Sequence, residues 1–283
     1  MPIEPEKALG AEFPEGQASW EPDDVILYHL GVGAGAQPTD PAELEYTYEA
    51  NLKVLPSFGV IPVFGALGGL FSVPGLSFNP VMLLHGEQDI EIAGPIPTQA
   101  KVVSSGRIAN IYDKGKGAVV VIESVTTDDA GKALFTNRFS VFLRGEGGFG
   151  GERGPEPGNV APDREPDRVV ESPTLPQQAL LYRLSGDKNP LHADPNFAAM
   201  GGFDKPILHG LCTFGVACKA AVDHELGGDV SKVARYQVRF SGHVFPGETN
   251  VTSMWHDDDK LLLQATTKER GLPVLTNAAI TLR

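Results

Sequence analysis

The chain has 283 residues, 41% hydrophobic and 21% charged, enough to bury a substantial core as one large domain or two of ordinary size. Its 36 acidic and 23 basic residues leave a formal net charge of −13, which argues against a nucleic-acid partner needing a broad basic face. The opening MPIEPEKALGAEFPEG has neither the basic start nor the apolar stretch of a secretory leader, and no run of about 18 apolar residues occurs, so a cytoplasmic protein without a membrane partner is expected.

In chain order, the first informative stretch is ILYHLGVGAG, beginning at Ile26. Its GVGAG segment, Gly31 to Gly35, lacks the later glycine and the acidic ribose contact of a dinucleotide fingerprint, so no NAD is expected. Val54 to Phe78 is apolar and glycine-rich, and reads either as core with loops or as a wall around an apolar ligand tail. MLLHGEQ follows, with Leu84, His85 and Gly86. From Ala100 to Arg144, strand-length β-rich runs split by K-G-K-G and D-D-A-G turns predict an antiparallel meander. Arg144 to Arg168 is dense in glycine, proline and charge, and reads as a connector between a domain at 1–150 and another at 151–283.

The second part opens with LLYRLSGDKN at Leu180, and the segment YRLSGDKNPLHADP from Tyr182 to Pro195 crowds Asp187, Asn189 and His192 between turn-forming prolines. Chemistry-bearing residues concentrated in a loop point to function. Asn before Pro is also a common turn element, so Asn189 has a structural reading too. Pro206 to Leu226 has the apolar content and length of a helix buried on most faces. It carries the only cysteines, Cys212 and Cys218, whose spacing puts them on different helical faces, as buried apolar residues rather than a redox pair. Four candidate strands close the chain: VARYQVRFSGHVF, ETNVTSMW, KLLLQATT and PVLTNAAITL. A helix ahead of an antiparallel sheet, twice over, is an α+β plan.

Two short matches relate the halves. L-Y-x-L and a glycine-bearing turn recur at an offset of 154 residues, and Leu84-His85-Gly86 matches Leu208-His209-Gly210 at an offset of 124. The first offset sets Gly33, Gly35 and Pro38 where the second half has Asp187, Asn189 and His192, so one half keeps a site and the other has lost it. The fall in offset implies 30 extra residues in the first half, around Val54 to Phe78. No second histidine or carboxylate stands at a supporting spacing near the loop, so no metal is expected.

YRLSGDKNPLHADPNFA followed by KPILHGLCTFG resembles the signature of hydratase 2, the (R)-specific 2-enoyl-CoA hydratases of the MaoC-like family. LLHGEQ, IYDKGKG, RGEGGFGG and PQQALLYRLSGD are similar to its two-domain forms, as in the hydratase region of peroxisomal multifunctional enzyme type 2. The resemblance implies a double hot-dog fold, two antiparallel sheets each wrapped round a central helix, with one active site in the second half. It also implies a homodimer, an enoyl-CoA thioester as substrate, and no cofactor beyond the coenzyme A of that substrate.

Adding water to a trans-2-enoyl thioester puts oxygen on C3 and a proton on C2 while negative charge gathers on the thioester oxygen. It needs an acid-base pair and an oxyanion donor. The resemblance assigns the first to Asp187 and His192, with Asn189 holding geometry, and the second to Gly210, near a helix N-terminus where backbone N–H groups point outward. Which of Asp187 and His192 takes the proton stays open. The implied acyl-CoA contacts are His85, Gly86, Lys114, Lys188 and Phe240, and His209 reads as a structural partner of the loop. The first half would shape the acyl pocket, with medium or long fatty chains and a sterol side chain both fitting. Another hot-dog acyl-CoA enzyme, such as a thioesterase, and a non-catalytic acyl-CoA binding protein are the alternatives.

Overall fold

A computed structural model describes residues 3–283. The strands are β1 (Gly16–Trp20), β2 (Leu83–Ile92), β3 (Ala100–Asp113), β4 (Gly117–Asp128) and β5 (Ala133–Arg144) in the first half, then β6 (Arg168–Pro173), β7 (Val233–Phe240), β8 (Thr249–Asp257), β9 (Lys260–Thr267) and β10 (Pro273–Leu282). The α-helices are α1 (Pro5–Ala8), α2 (Pro22–Gly31), α3 (Pro41–Thr47), α4 (Phe64–Leu67), α5 (Gln178–Tyr182), α6 (Pro195–Met200) and α7 (Gly210–Glu225). Among the described residues no helix is long and apolar enough to cross a membrane.

All ten strands form one sheet in the order β1-β3-β4-β5-β2-β7-β10-β9-β8-β6. Read outward from its centre, each half repeats one plan, β2-β5-β4-β3-β1 against β7-β10-β9-β8-β6. This is the double hot-dog arrangement. The meanders sit where the sequence put them, with Gly115 and Gly131 supplying the positive φ of +78° and +79° that the β3–β4 and β4–β5 turns require. The halves join through antiparallel pairing of β2 with β7, from Glu87 opposite Arg239 to Glu91 opposite Arg235. Alternation sorts the side chains of β2, with Gln88, Ile90 and Ile92 buried. Asp89 and Glu87 instead meet Arg235 and Arg239 at 2.6 Å and 2.5 Å.

α7 occupies the hot-dog centre of the second half. Its small residues admit neighbours closely: a Cβ on Gly215 would lie 2.5 Å from Val32 Cγ1 and 2.8 Å from the Tyr28 hydroxyl, so α2 packs directly on this turn. Phe214 stacks on Tyr236 at 4.1 Å, and both Cys212 and Cys218 are buried free thiols. Among the described residues the first half has no such continuous helix, which corrects the expectation of the same plan twice. In its place the 3₁₀ turn Pro56–Val60 lies buried against β2, β5, β7 and α7. Prolines and glycines in Val54 to Phe78 explain the difference, because proline removes helix N–H donors and glycine raises the cost of helix order.

The repeat also needs one correction. The L-Y-x-L copies are equivalent, since α2 follows β1 and α5 follows β6, and the two helices pack with Tyr28 and Tyr182 ring centroids 6.0 Å apart. The L-H-G copies are not. Leu84-His85-Gly86 lies within β2, whereas Leu208-His209-Gly210 leads into α7. The strand equivalent to β2 is β7, and the segments before them, 21–82 and 174–232, are 62 and 59 residues long. The first half therefore holds no 30-residue excess; it folds a segment of nearly equal length differently.

The connector is pinned by Asp113, whose carboxylate accepts N–H bonds from Gly115, Gly148 and Gly150 at 2.7–2.9 Å. In the core of the first half, His29 Nδ1–H donates to the Tyr46 carbonyl (2.8 Å) and Nε2 accepts from the Leu55 N–H (3.1 Å), which only a neutral imidazole can do. Burial pushes this imidazole down to about 4. Because the folded value lies below the unfolded value of about 6.5, the stability from His29 is present above that pH and drains as pH falls toward 4, by up to about 1.4 kcal/mol per pH unit. A His29→Gln protein should therefore lose less melting temperature between pH 7 and pH 5 than the parent, while its kcat stays nearly unchanged. An equal loss in both would show that His29 does not titrate on unfolding.

Candidate active site

The loop between α5 and α6 is shaped by its own side chains. Gly186 takes φ +141°, a conformation that L side chains rarely adopt, and turns the chain into Asp187. Asp187 Oδ1 accepts the Asn189 N–H at 3.0 Å, and Asn189 Oδ1 accepts the Leu191 N–H at 3.0 Å, capping the 3₁₀ turn Pro190–His192. Asn189 thus fills the turn role its place before proline suggests, with its amide N–H group left over for other partners. His192 ends the turn with a buried ring whose Nδ1–H donates to the Ile207 carbonyl at 2.8 Å. That bond fixes the tautomer and leaves the Nε2 lone pair free. Burial lowers the pKa of His192, opposed by the Asp187 carboxylate and reinforced by Arg183.

α7 brings in the next two residues. His209, its N-cap, is 1% exposed, stacks on His192 with ring centroids 3.7 Å apart and planes 29° apart, and has Nε2 3.2 Å from the Asp187 carbonyl oxygen. Gly210 follows. The N–H groups of Cys212 and Thr213 both point to the His209 carbonyl, and among the described hydrogen bonds those of Gly210 and Leu211 have no backbone partner. They are the outward donors of a helix start. A Cβ on Gly210 would come within 3.1 Å of the Phe240 ring, so the residue it would crowd first is Phe240.

Phe240 in turn faces His85, ring centroids 4.8 Å apart, and His85 faces Phe139 at 5.4 Å. His85, Phe240 and Gly210 therefore line one neighbourhood. Burial holds the His85 imidazole down at about 4, and its Nε2–H donates to the Glu87 carbonyl at 3.0 Å, so it presents an aromatic face rather than a charge. Gly86 sits where the β2–β5 pairing slips by one residue, between His85 and Glu87. Lys188 is exposed at the tip of the Asp187 loop. Lys114 stands apart from these residues in its described contacts: its ammonium donates to the Arg153 carbonyl of the connector and lies 5.8 Å from the Tyr112 ring centroid.

A cavity of about 220 Å³ opens beside the loop, lined by Trp20, Leu27, Phe58 and Gly65 of the first half and by Leu184 and Ser185, just before Gly186. The cavity is thus shared between the halves. The sequence left the Gly65 segment open between core with loops and a wall, and gave no sign of Trp20 or Leu27, which reach the cavity only through folding of β1 and α2.

One atom each of Asp187, His192 and His209 fall within 4.8 Å of one another, so a second histidine does join the pair, contrary to the reasoning from spacing alone. His209 lies 17 residues beyond His192 and arrives through the N-terminus of α7. The grouping does not direct itself at an ion. Two rings 3.7 Å apart and tilted by 29° cannot both aim an in-plane lone pair at one metal about 2.0–2.1 Å away. It suits a water held between a carboxylate and a free imidazole nitrogen, beside outward backbone N–H donors. That is an arrangement for proton transfer next to a developing oxyanion.

Two family models match the chain: the MFE-2 hydratase 2 N-terminal domain over residues 19–145 and the MaoC like domain over residues 158–278. Enoyl-CoA hydratase ChsH3 of Mycobacterium tuberculosis is 46% identical, the match covering 97% of each chain. Peroxisomal multifunctional enzyme type 2 of mouse is 43% identical over 97% of this chain and 38% of its own length. Among solved structures, a MaoC-like dehydratase from Phytophthora capsici superposes with a TM-score of 0.89 at 35% identity, covering 99% of both chains.

Proposed function

Because the chain belongs to the two-domain hydratase 2 branch of the MaoC-like family, we propose that it is an (R)-specific 2-enoyl-CoA hydratase, adding water to trans-2-enoyl-CoA to give (3R)-3-hydroxyacyl-CoA. The observation that carries the reading is that ligand atoms of Asp187, His192 and His209 lie within 4.8 Å of one another, with the Nε2 of His192 free and Gly210 directly after His209 at the start of α7. Asp187 and His192 hold the water between them and take its proton as its oxygen bonds to C3, and the pair returns a proton to C2. The Gly210 N–H, at the positive end of α7, stabilises the enolate oxygen of the thioester. Asn189 keeps the Asp187 turn in shape, and His85, Gly86 and Phe240 flank the thioester. Lys188 and Lys114 are the candidates for CoA phosphate, with Lys114 first releasing the Arg153 carbonyl.

The acyl tail leaves the site past Leu184 and enters the cavity of the first half, which has no reactive loop of its own. Medium or long fatty acyl chains and sterol side chains fit this path. The chemistry calls for no cofactor, coenzyme A being part of the substrate. The protein is read as a cytoplasmic homodimer serving β-oxidation, in line with the family resemblance. Hydration assays over short, medium, long and steroid-bearing enoyl-CoA thioesters should give turnover, with preference for the longer tails. Titration with a tightly bound product analogue should saturate at one equivalent per chain. Two equivalent sites per chain would refute the assignment of a single reactive half.

A further inference from the structure

We propose that His209 is a positioning residue that fixes Asp187 and His192 at once, through two different features of one ring. This rests on the hydratase reading given above. The Nε2–H of His209 donates to the Asp187 carbonyl at 3.2 Å, and its face packs on His192 at 3.7 Å. Tyr182 backs it at 4.9 Å between ring centroids. As the N-cap of α7 it is anchored to a long, largely buried helix, while the loop it braces is exposed at Lys188, Asn189 and Pro190. Rigidity passes from helix to loop through this side chain. The carbonyl can only accept, so the Nε2–H tautomer is required, and Nδ1 is left buried without a partner.

The charged and titratable groups facing the ring are few. They are His192 across the stack, Asp187 at the carbonyl, Arg183 from the 3₁₀ turn after α5, and Tyr182 at its back, whose phenol burial keeps protonated. Burial, then His192, push the His209 imidazole down to about 2 against the pull of the Asp187 bond, with Arg183 adding a smaller push. His209 therefore stays neutral while His192 gains and loses a proton. A second charge beside His192 would oppose that gain.

Two substitutions divide the roles. His209→Phe keeps a ring against His192 and loses the donor to Asp187, whereas His209→Gln keeps an N–H near the place of Nε2 and loses the ring. In folded protein, His209→Phe should lower kcat roughly 30-fold with KM within about twofold, since misplacement of reacting groups by about 1 Å can cost 100-fold. His209→Gln should recover part of that loss and move the acid limb of the kcat/KM profile to higher pH, because His192 loses its cover. A residue that only supports folding would leave that limb in place.

The decisive background is His192→Asn, in which His209→Phe should add less than about a twofold further loss, because groups acting as one unit are not additive. Full multiplication of the two losses, or wild-type kcat in a cooperatively melting His209→Phe protein, would overturn the inference. If His209→Phe does not melt cooperatively, the pH limb of His209→Gln decides instead: a shift supports positioning and a fixed limb refutes it. Near-normal hydration by His192→Asn itself would sink the hydratase site and this inference with it, an outcome distinct from failure of His209 alone.

Discussion

Asp187→Asn and His192→Gln should each lower kcat by about 100-fold or more, the scale of one acid-base group, roughly 2.7 kcal/mol of barrier, while CoA-ester affinity changes little. In the proposed mechanism both side chains act on the water rather than on the CoA moiety. Asp187→Asn is a clean change, since the amide oxygen can still accept the Asn189 N–H that shapes the turn. His192→Gln is less so, because the glutamine N–H falls near the place of Nε2 and leaves the buried Ile207 carbonyl short of its 2.8 Å partner. His192→Asn puts an N–H where Nδ1 was, and so separates loss of the reactive nitrogen from loss of that bond. Rates near normal for Asp187→Asn or His192→Asn, on the best substrate, would mean that the proton passes elsewhere.

The second large effect is one of selectivity. Gly65 lines the cavity, and a Cβ built there meets nothing within 4 Å, so Gly65→Phe adds volume to open space rather than to packed core. On the proposed acyl path a short group ends beside Asp187 and His192 and is spared, whereas a longer one must cross the added ring. The ratio of kcat/KM for crotonyl-CoA to that for the longest accepted substrate should rise about tenfold, the factor that about 1.4 kcal/mol of selective loss produces. Gly68 supplies the control, because a Cβ there is equally free of contacts but the residue does not line the cavity. Gly68→Phe should leave the ratio alone. Equal losses on both substrates in a Gly65→Phe protein that still melts near the parent temperature would place the tail on another path.

Most of the fold was legible wherever local chemistry decides structure. The turns at Gly115 and Gly131 need positive φ, the strands they separate are β-branched and alternating, and α7 is too long and apolar to be anything but a buried helix. β1 and β6 escaped notice for the opposite reason. They are edge strands of only five and six residues, and their partners, β3 and β8, lie more than 70 residues away. The false L-H-G equivalence arose because three residues carry too little information to tell strand from helix start, and Leu84 and Leu208 look alike until β2 and α7 exist. At the site, Asp187, Asn189 and His192 were visible as a cluster because five residues of turn hold them together. His209 reads in the sequence as a structural partner of the loop, but its packing on His192 is not foreseen there. Its stack on His192 depends on where α7 begins in space, which no spacing along the chain encodes. The same holds for the cavity, whose walls at Trp20 and Leu27 come from two elements linked only by packing.

The central claim is that this pocket directs water at C3 of an enoyl thioester, and product analysis in oxygen-18 water tests it most directly. A trans-2-enoyl-CoA incubated with the protein should yield (3R)-3-hydroxyacyl-CoA carrying the label on C3, with the thioester intact and no free thiol released. Free coenzyme A with label in a carboxylate would make the protein a thioesterase, and a (3S) product would put the water on the opposite face; either result would contradict the account.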